Sequence, residues 1–465
     1  MTGEYWTLTK AHQALARRQL SARELAEAHL QQIHAHNSQL RAFLYINEDI
    51  LQLAQEQDKK RAQGSFLPPL AGLPIAIKDL FHTKDMPTTY GSRYFAHHQP
   101  LADAPSVARL RELGALLIGK THLHEFAFGT TSENIHYGHV RNPWNRSKIA
   151  GGSSGGSAVA LASGMSLAAL GTDTGGSVRI PAALTGTVGL KPSFGLISKE
   201  GVFPLAPSLD HVGPMTLSVD DAAWMLSLLT ASSHEQAMRM SPDDHPYLPY
   251  SLPEPIRAGV IRPYFFDRCH PGVVDKITSL LRVLETRWLK RIDLSLSGLE
   301  RVQEYQRVLI TTEAYALHRQ RLQENDSLFG DDVRDRLNSA KSLSAIEFLD
   351  ALHFQKEFTA EMTEKFAIVD VLVMPTVPIP ATDIGQSKVF VGSHEMPVRS
   401  LLNRNTQPFN FTGLPALSIP VGLLDGLPVG LQLVGPLGSE RKLLSIGKFI
   451  EEAVQWNPLA PMHRA

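Results

Sequence analysis

The sequence predicts an α/β protein: one large domain with a central, mixed, twisted β-sheet flanked by α-helices. Three observations carry this reading. Two short apolar runs, residues 73–78 and 115–118, bracket a helical stretch at 106–113, and this β-α-β alternation is the mark of a layered α/β architecture. Strand-like runs then return late in the chain, at 371–375, 416–420 and 429–433, and are expected to join the same sheet. Finally, 43% apolar and 20% charged residues over 465 positions is ordinary globular usage, enough for a large core and contrary to intrinsic disorder.

The elements follow in order. Residues 8–60 read as an N-terminal helical region, with Ser21 and Glu24 spaced as a capping box at the start of an amphipathic run. Residues 70–220 read as the heart of the domain. Its first strand, 73–78, is apolar until Lys78, as expected of a strand buried on both faces. From 151 to 195 the composition shifts to Gly, Ser, Ala and Thr with almost no charge. A flexible linker would look similar, but Val159, Leu161, Leu167, Leu170, Ile180, Val188 and Leu190 are spaced for a packed core. Residues 221–365 are more polar and mainly helical, expected as an insertion, and 366–465 return strands and a helix to the core.

Charge and cysteine usage exclude several classes. Lys+Arg is 45 and Asp+Glu 46, so the net charge of −1 gives no basic excess for nucleic acid. One cysteine, Cys269, forbids an intramolecular disulfide framework and a cysteine-rich metal site, and fits a reducing cytoplasm. No segment reads as a signal peptide or a membrane span.

Two glycine-serine loops carry the chemistry: residues 151–157 (GGSSGGS) and 171–177 (GTDTGGS). Such loops let backbone N–H groups converge on an anion. A phosphate loop would need a Gly-Lys-Ser/Thr ending, which neither has, and a dinucleotide fingerprint fits poorly. The other anion is the oxyanion of acyl transfer, with N–H groups of Thr174, Gly175, Gly176 and Ser177 as donors and the Ser177 hydroxyl as nucleophile. A serine needs a base. None of the 19 histidines sits at a recognisable hydrolase spacing, and neither loop is a Gly-x-Ser-x-Gly elbow. A buried lysine is the alternative, because desolvation favours its neutral form, and Lys78 is best placed. A lone strand-end lysine is otherwise an ordinary snorkelling surface group.

These residues resemble the amidase signature family of serine hydrolases. The run 151–191, GGSSGGSAVALASGMSLAALGTDTGGSVRIPAALTGTVGLK, is similar to its signature segment, and Pro74-Ile75-Ala76-Ile77-Lys78-Asp79 to its lysine segment. Glu125-Phe126-Ala127 onward to Asn134, Ser208-Leu209-Asp210 onward to Pro214, and Phe411-Thr412-Gly413-Leu414-Pro415-Ala416 also fit, so the resemblance spans most of the chain and is weakest between about 230 and 370. It implies the family's fold and a Ser–cis-Ser–Lys triad. The nucleophile falls on Ser177, the bridging serine on Ser153, 24 residues earlier and preceded by the cis linkage, and the lysine on Lys78. Ser154 is expected to hydrogen-bond beside the triad, and Asp173 with Arg179 to brace the nucleophile loop. Substrate contacts are expected from Phe128, Gly129, Thr130 and Thr131 and from residues 403–410.

The resemblance implies hydrolysis of a small carboxylic amide, with related carbamates, ureas and esters within reach, and no metal or organic cofactor. The charge balance and the lack of a long apolar run predict no direct nucleic-acid contact and no membrane, and a homodimer is compatible with the reading. A second reading is the glutaminase component of a tRNA-dependent amidotransferase, its A subunit, which would need partner subunits; the helical stretch of that subfamily is not evident at 331–340. A third is an inactive interaction subunit, opposed by the intact Lys78, Ser153 and Ser177. Two rival sites remain to be placed. His122 and His124, at i and i+2, would share a strand face as in metal-dependent amidohydrolases. Asp210-His211 could form part of a Ser-His-Asp triad.

Overall fold

An eleven-stranded mixed sheet organises the chain, seen in a computed structural model that describes residues 6–248, 250–252 and 255–461. The strands are β1 (Phe43–Ile46), β2 (Pro74–Lys78), β3 (Leu116–Thr121), β4 (Ala168–Asp173), β5 (Val188–Lys191), β6 (His211–Thr216), β7 (Ile256–Val260), β8 (Leu289–Asp293), β9 (Val371–Pro375), β10 (Lys388–Val391), β11 (His394–Pro397), β12 (Ala416–Leu424) and β13 (Leu427–Val434). The order across the sheet is β1-β3-β2-β4-β6-β5-β12-β13-β9-β7-β8, while β10 and β11 form a separate hairpin. The late strands do join the early ones, through the antiparallel pair β5–β12.

The sheet is mixed because two parallel groups flank an antiparallel centre. β3, β2 and β4 run parallel, as do β9, β7 and β8, whereas β4, β6, β5, β12, β13 and β9 alternate in direction. Every residue of β2, β3, β4, β5 and β6 is buried, which explains their nearly continuous apolar runs.

Two regional expectations need correction. The N-terminal helical region holds helices Leu8–Ala16, Ala22–Leu40 and Ile50–Ala62, but also β1, whose four residues Phe-Leu-Tyr-Ile pair antiparallel with β3 at the sheet edge. The capping box is present: Glu24 N–H donates to Ser21 Oγ at 3.1 Å and Ser21 N–H to Glu24 Oε2 at 2.8 Å, a cap of about 1 kcal/mol. The polar region 221–365 is mainly helical, but it is not only an insertion beside the sheet. It supplies β7 and β8, which extend the sheet beyond β9. Only Leu289 of β8 is buried, as an edge strand tolerates, and its Lys290 and Arg291 masked its strand character.

The small-residue segment is a helix, Gly155–Ala162, every residue of it buried. Its first turn lies against the chain leaving β3. A Cβ at Gly156 would fall 2.4 Å from both Ala42 O and His122 O, so only glycine admits this approach. Among the described residues no helix is long and apolar enough to cross a membrane.

Candidate active site

The site assembles at the C-terminal ends of two adjacent parallel strands. β2 and β4 pair in register, with Ile77 opposite Leu170, so Lys78 at the end of one strand reaches Thr172 near the end of the other. Open ends of this kind are where α/β sheets place ligands. Ser153 and Ser154 precede the helix Gly155–Ala162, and Ser177 lies in the turn between β4 and the helix Arg179–Thr185. The Gly152–Ser153 peptide bond is cis.

Lys78 is fully buried and surrounded by hydroxyls. Its Nζ donates to Ser153 Oγ at 2.8 Å, Ser154 Oγ at 2.9 Å and Thr172 Oγ1 at 2.7 Å. Burial pushes its pKa down to about 7, against the more distant negative charges of Asp173 and Asp210, which pull it up. Two other buried lysines differ. Lys120 lies 3.0 Å from the Asp79 carboxylate, and Lys191 lies 3.1 Å from both Pro192 O and His211 Nε2. Of the three, Lys78 alone faces serine hydroxyls.

Ser154 locks the strand to the serine loop: Thr172 N–H donates to its Oγ at 3.3 Å, and its Oγ donates to Thr172 O at 3.2 Å. Its backbone N–H donates to Ser177 O at 3.1 Å, joining the two serine loops. Ser132, unforeseen from the sequence, grips the bridging loop from the other side. It accepts from Gly155 N–H at 3.1 Å and donates to Ser153 O at 3.3 Å. The Ser177 hydroxyl makes no hydrogen bond among the described residues and opens on a cleft of about 400 Å³. Catalytic hydrogen bonds often close only when substrate is bound.

Asp173 and Arg179 form the expected brace. The guanidinium meets the carboxylate in a fork, Nε to Oδ2 at 3.0 Å and Nη2 to Oδ1 at 2.9 Å, with both side chains fully buried. Burial alone would raise the Asp173 carboxyl. Arg179 and the hydrogen bonds around it prevail and hold it well below the usual carboxylate range. Asn410 Nδ2 donates to Asp173 Oδ1 at 2.8 Å, and Arg179 also reaches Thr406 O, Gln432 Oε1 and Asn410 Oδ1. The loop is thereby tied to the C-terminal strands from the far side of the chain.

The oxyanion loop needs one correction. Gly176 N–H donates to Asp173 Oδ1 at 2.8 Å, so it is already taken, and Gly176 does not line the cleft. Thr174, Gly175 and Ser177 do line it. Gln306 Nε2 holds Thr174 O at 3.0 Å and Thr406 Oγ1 holds Gly175 O at 2.6 Å. Because a trans peptide sets its N–H opposite its C=O, the first of these bonds also fixes the direction of Gly175 N–H. Gly176 has φ +132°, and a Cβ there would lie 2.2 Å from Thr406 Oγ1, so the turn requires glycine.

Of the expected substrate contacts, Phe128, Gly129 and Thr130 line the cleft. Thr131 does not: its hydroxyl accepts from Glu133 N–H at 3.4 Å, and its backbone packs against Gly152. Within 403–410, Asn403 and Gln407 line the cleft, while Asn410 serves the Asp173 brace. The segment at 331–340 is helical after all, as Asp331–Asn338, and it brings Arg336 to the cleft wall. Arg399 joins it there. Neither arginine was foreseen, since nothing local distinguishes them from surface cations.

The rival sites fall apart. β3 ends at Thr121, so His122 and His124 do not share a strand face. His122 Nε2 lies 2.8 Å from Gly138 O, whereas His124 Nε2 lies 3.0 Å from Asp332 and its ring packs against Gly129. Among the described residues no group of three or more His, Cys, Asp and Glu side chains is placed to hold a metal ion. Asp210 accepts from Thr174 Oγ1 at 2.6 Å, and His211 faces Lys191, so the two do not act as a pair on either serine. Cys269 is buried, its Sγ donating to Phe265 O.

A mixed sheet whose strand ends gather a buried lysine, two serine loops and a braced glycine turn goes with a family of amide-hydrolysing enzymes. The chain belongs to the amidase family, whose model matches residues 24–444. It is 35% identical, over 98% of each chain, to the A subunit of the glutamyl-tRNA(Gln) amidotransferase of Chloroflexus aggregans. Among solved structures, an amidase superposes with a TM-score of 0.90 at 36% identity, covering 97% of this chain and all of that one. The A subunit of the Thermotoga maritima glutamyl-tRNA(Gln) amidotransferase superposes at 0.81 with 29% identity, covering 98% of this chain and 97% of that one.

Proposed function

We propose that the chain hydrolyses the C–N bond of a small carboxylic amide through an acyl-enzyme on Ser177. The observation that carries this is the neutral-prone amine of Lys78 held 2.8 Å from Ser153 Oγ beneath the Ser177 loop. Lys78 takes a proton from Ser153, which takes one from Ser177. The Ser177 oxygen attacks the amide carbonyl, and the N–H groups of Thr174, Gly175 and Ser177 receive the negative oxygen. The relay then returns a proton to the leaving nitrogen as the C–N bond breaks. Water attacks the ester by the same route, releasing the carboxylic acid and restoring Ser177. No step needs a metal or an organic cofactor.

A serine-directed fluorophosphonate tests this reading: it labels Ser177 in the native chain, and Ser177→Ala removes the label. Labelling that persists in the alanine variant removes the mechanism.

A second reading has its own support. The similarity to the Chloroflexus amidotransferase component runs over 98% of both chains, so release of ammonia from glutamine within a complex of partner subunits fits the same site. A panel of simple amides, glutamine, a carbamate and an ester separates the two. Turnover of simple amides by the isolated chain favours the amidase. Glutaminase activity that arises only with added partner chains favours the amidotransferase component.

A further inference from the structure

A second cavity, of about 220 Å³, adjoins the cleft beside Ser177. Ala127, Thr174 and Leu205 line both, so the two spaces meet at the oxyanion loop. Their far walls differ. The cleft runs out along the helix Leu299–Asn325, and none of Ser153, Ser154 and Thr172 lines it. The side cavity is walled by Thr172, whose Oγ1 lies 2.7 Å from Lys78 Nζ, and by Leu80, two residues past that lysine. Of the two spaces, it is the one next to the proton relay.

Leu80, Val202, Phe203, Leu205 and Val212 give this cavity an apolar surface. Its polar groups are already engaged. Asp210 accepts from Thr174 Oγ1 at 2.6 Å and from Leu205 N–H at 3.0 Å. Lys199 Nζ donates to Pro207 O at 2.6 Å, and His211 Nδ1 lies 2.7 Å from Leu209 O. A polar substituent placed there would give up water with little to replace it, whereas an apolar one gains from the surface it takes out of water. An apolar cavity of about 150 Å³ holds benzene, so this one admits a phenyl or butyl group.

Proton delivery decides which end of the substrate enters. As the C–N bond breaks, the nitrogen must take the proton that the relay holds, so it points from Ser177 toward Ser153 and Lys78. A substituent on that nitrogen continues into the side cavity, while the acyl chain lies along the cleft. We infer that the substrate is a secondary amide whose nitrogen bears an apolar group, received between Leu80 and Phe203. The carbonyl carbon bonds to Ser177 Oγ, the C–N bond breaks, and the nitrogen leaves with the relayed proton as a primary amine. The inference rests on the amide hydrolysis proposed above and names the leaving group of that same site. Glutamine, which expels ammonia, would leave the cavity unused.

The test uses the whole chain and two butyramides of amines of similar basicity, N-benzylbutyramide and N-hydroxyethylbutyramide. kcat/KM should favour the benzyl compound at least about tenfold. Val202→Trp, which fills the cavity, should bring that ratio close to one. Equal turnover of the two by the native chain, or a ratio that Val202→Trp leaves unchanged, overturns the inference. So does a Val202→Trp variant that moves the ratio of phenylbutyramide to butyramide instead, since the cavity would then hold the acyl chain. If Val202→Trp does not fold, as judged by circular dichroism, the reverse step on the native chain decides. The acyl-enzyme formed from p-nitrophenyl butyrate should pass its acyl group to benzylamine at least about ten times more readily than to ethanolamine. Equal partition between the two amines overturns the inference. Failure of the underlying reading looks different: no amide is turned over and the fluorophosphonate leaves Ser177 unlabelled.

Discussion

Lys78 Nζ lies 2.8 Å from Ser153 Oγ, in a fully buried setting without a carboxylate in hydrogen-bond contact. This relationship separates a base from a structural cation. Lys120, equally buried and likewise lowered by burial, sits on Asp79 and carbonyl oxygens as well as two threonine hydroxyls, and the carboxylate opposes that shift. Lys78 sees hydroxyls, which stabilise the ammonium less, so burial can bring its proton affinity down to about 7.

Ser153→Ala removes the link between amine and nucleophile while leaving the cleft intact. It is expected to lower kcat/KM by about 10²- to 10⁴-fold with little change in the melting temperature. Steady-state kinetics beside a thermal melt checks this.

Thr172→Val deletes one of the three acceptors around Lys78. An acceptor favours the protonated amine, so its loss lowers the Lys78 pKa further. The acid limb of the kcat/KM profile should move to lower pH by about one unit. A shift to higher pH, or none, contradicts the assignment of that limb to Lys78.

Asp173→Asn leaves Arg179 buried beside a neutral partner and is expected to cost about 3–5 kcal/mol, read by urea unfolding. The sign with pH follows from the depressed carboxyl. Its stabilising contribution is present above the ordinary aspartate range and is lost as pH falls through and below it. The native chain should therefore lose stability more steeply than the variant below about pH 4.

Gly176→Ala drives a methyl against Thr406 Oγ1 at a φ of +132°. The expected outcome is a loss of roughly 2–4 kcal/mol in stability together with loss of turnover, since the Asp173–Gly176 bond sets the loop. An alanine variant with native kinetics would show that the turn is not needed in this form.

Local pattern pointed to Lys78 and Ser177, and the family resemblance added Ser153. Lys78 ends an apolar strand, and Ser153 and Ser177 lie in glycine loops whose composition breaks sharply from their surroundings. Asp173 and Arg179 are six residues apart, close enough to suspect a pair. What closes the site from a distance was not legible. Asn410 is 231 residues from Arg179, Gln306 is 132 from Thr174, and Arg399 has no local signal. The strand β8 was hidden for a related reason: an edge position in the sheet relaxes the apolar run that reveals a buried strand, whereas β7, buried at four of its five positions, is a short run interrupted by Arg257. Gly176 was misassigned because a glycine-rich loop shows how many N–H groups exist, not which are already bonded to Asp173.

The most direct test is the rate at which a fluorophosphonate labels Ser177 between pH 5 and 10, in the native chain and in Lys78→Ala. The native rate should rise sigmoidally with an apparent pKa near 7, and the variant should react at least about a hundredfold more slowly with no such rise. A Lys78→Ala variant that keeps the native profile would show that another group accepts the proton.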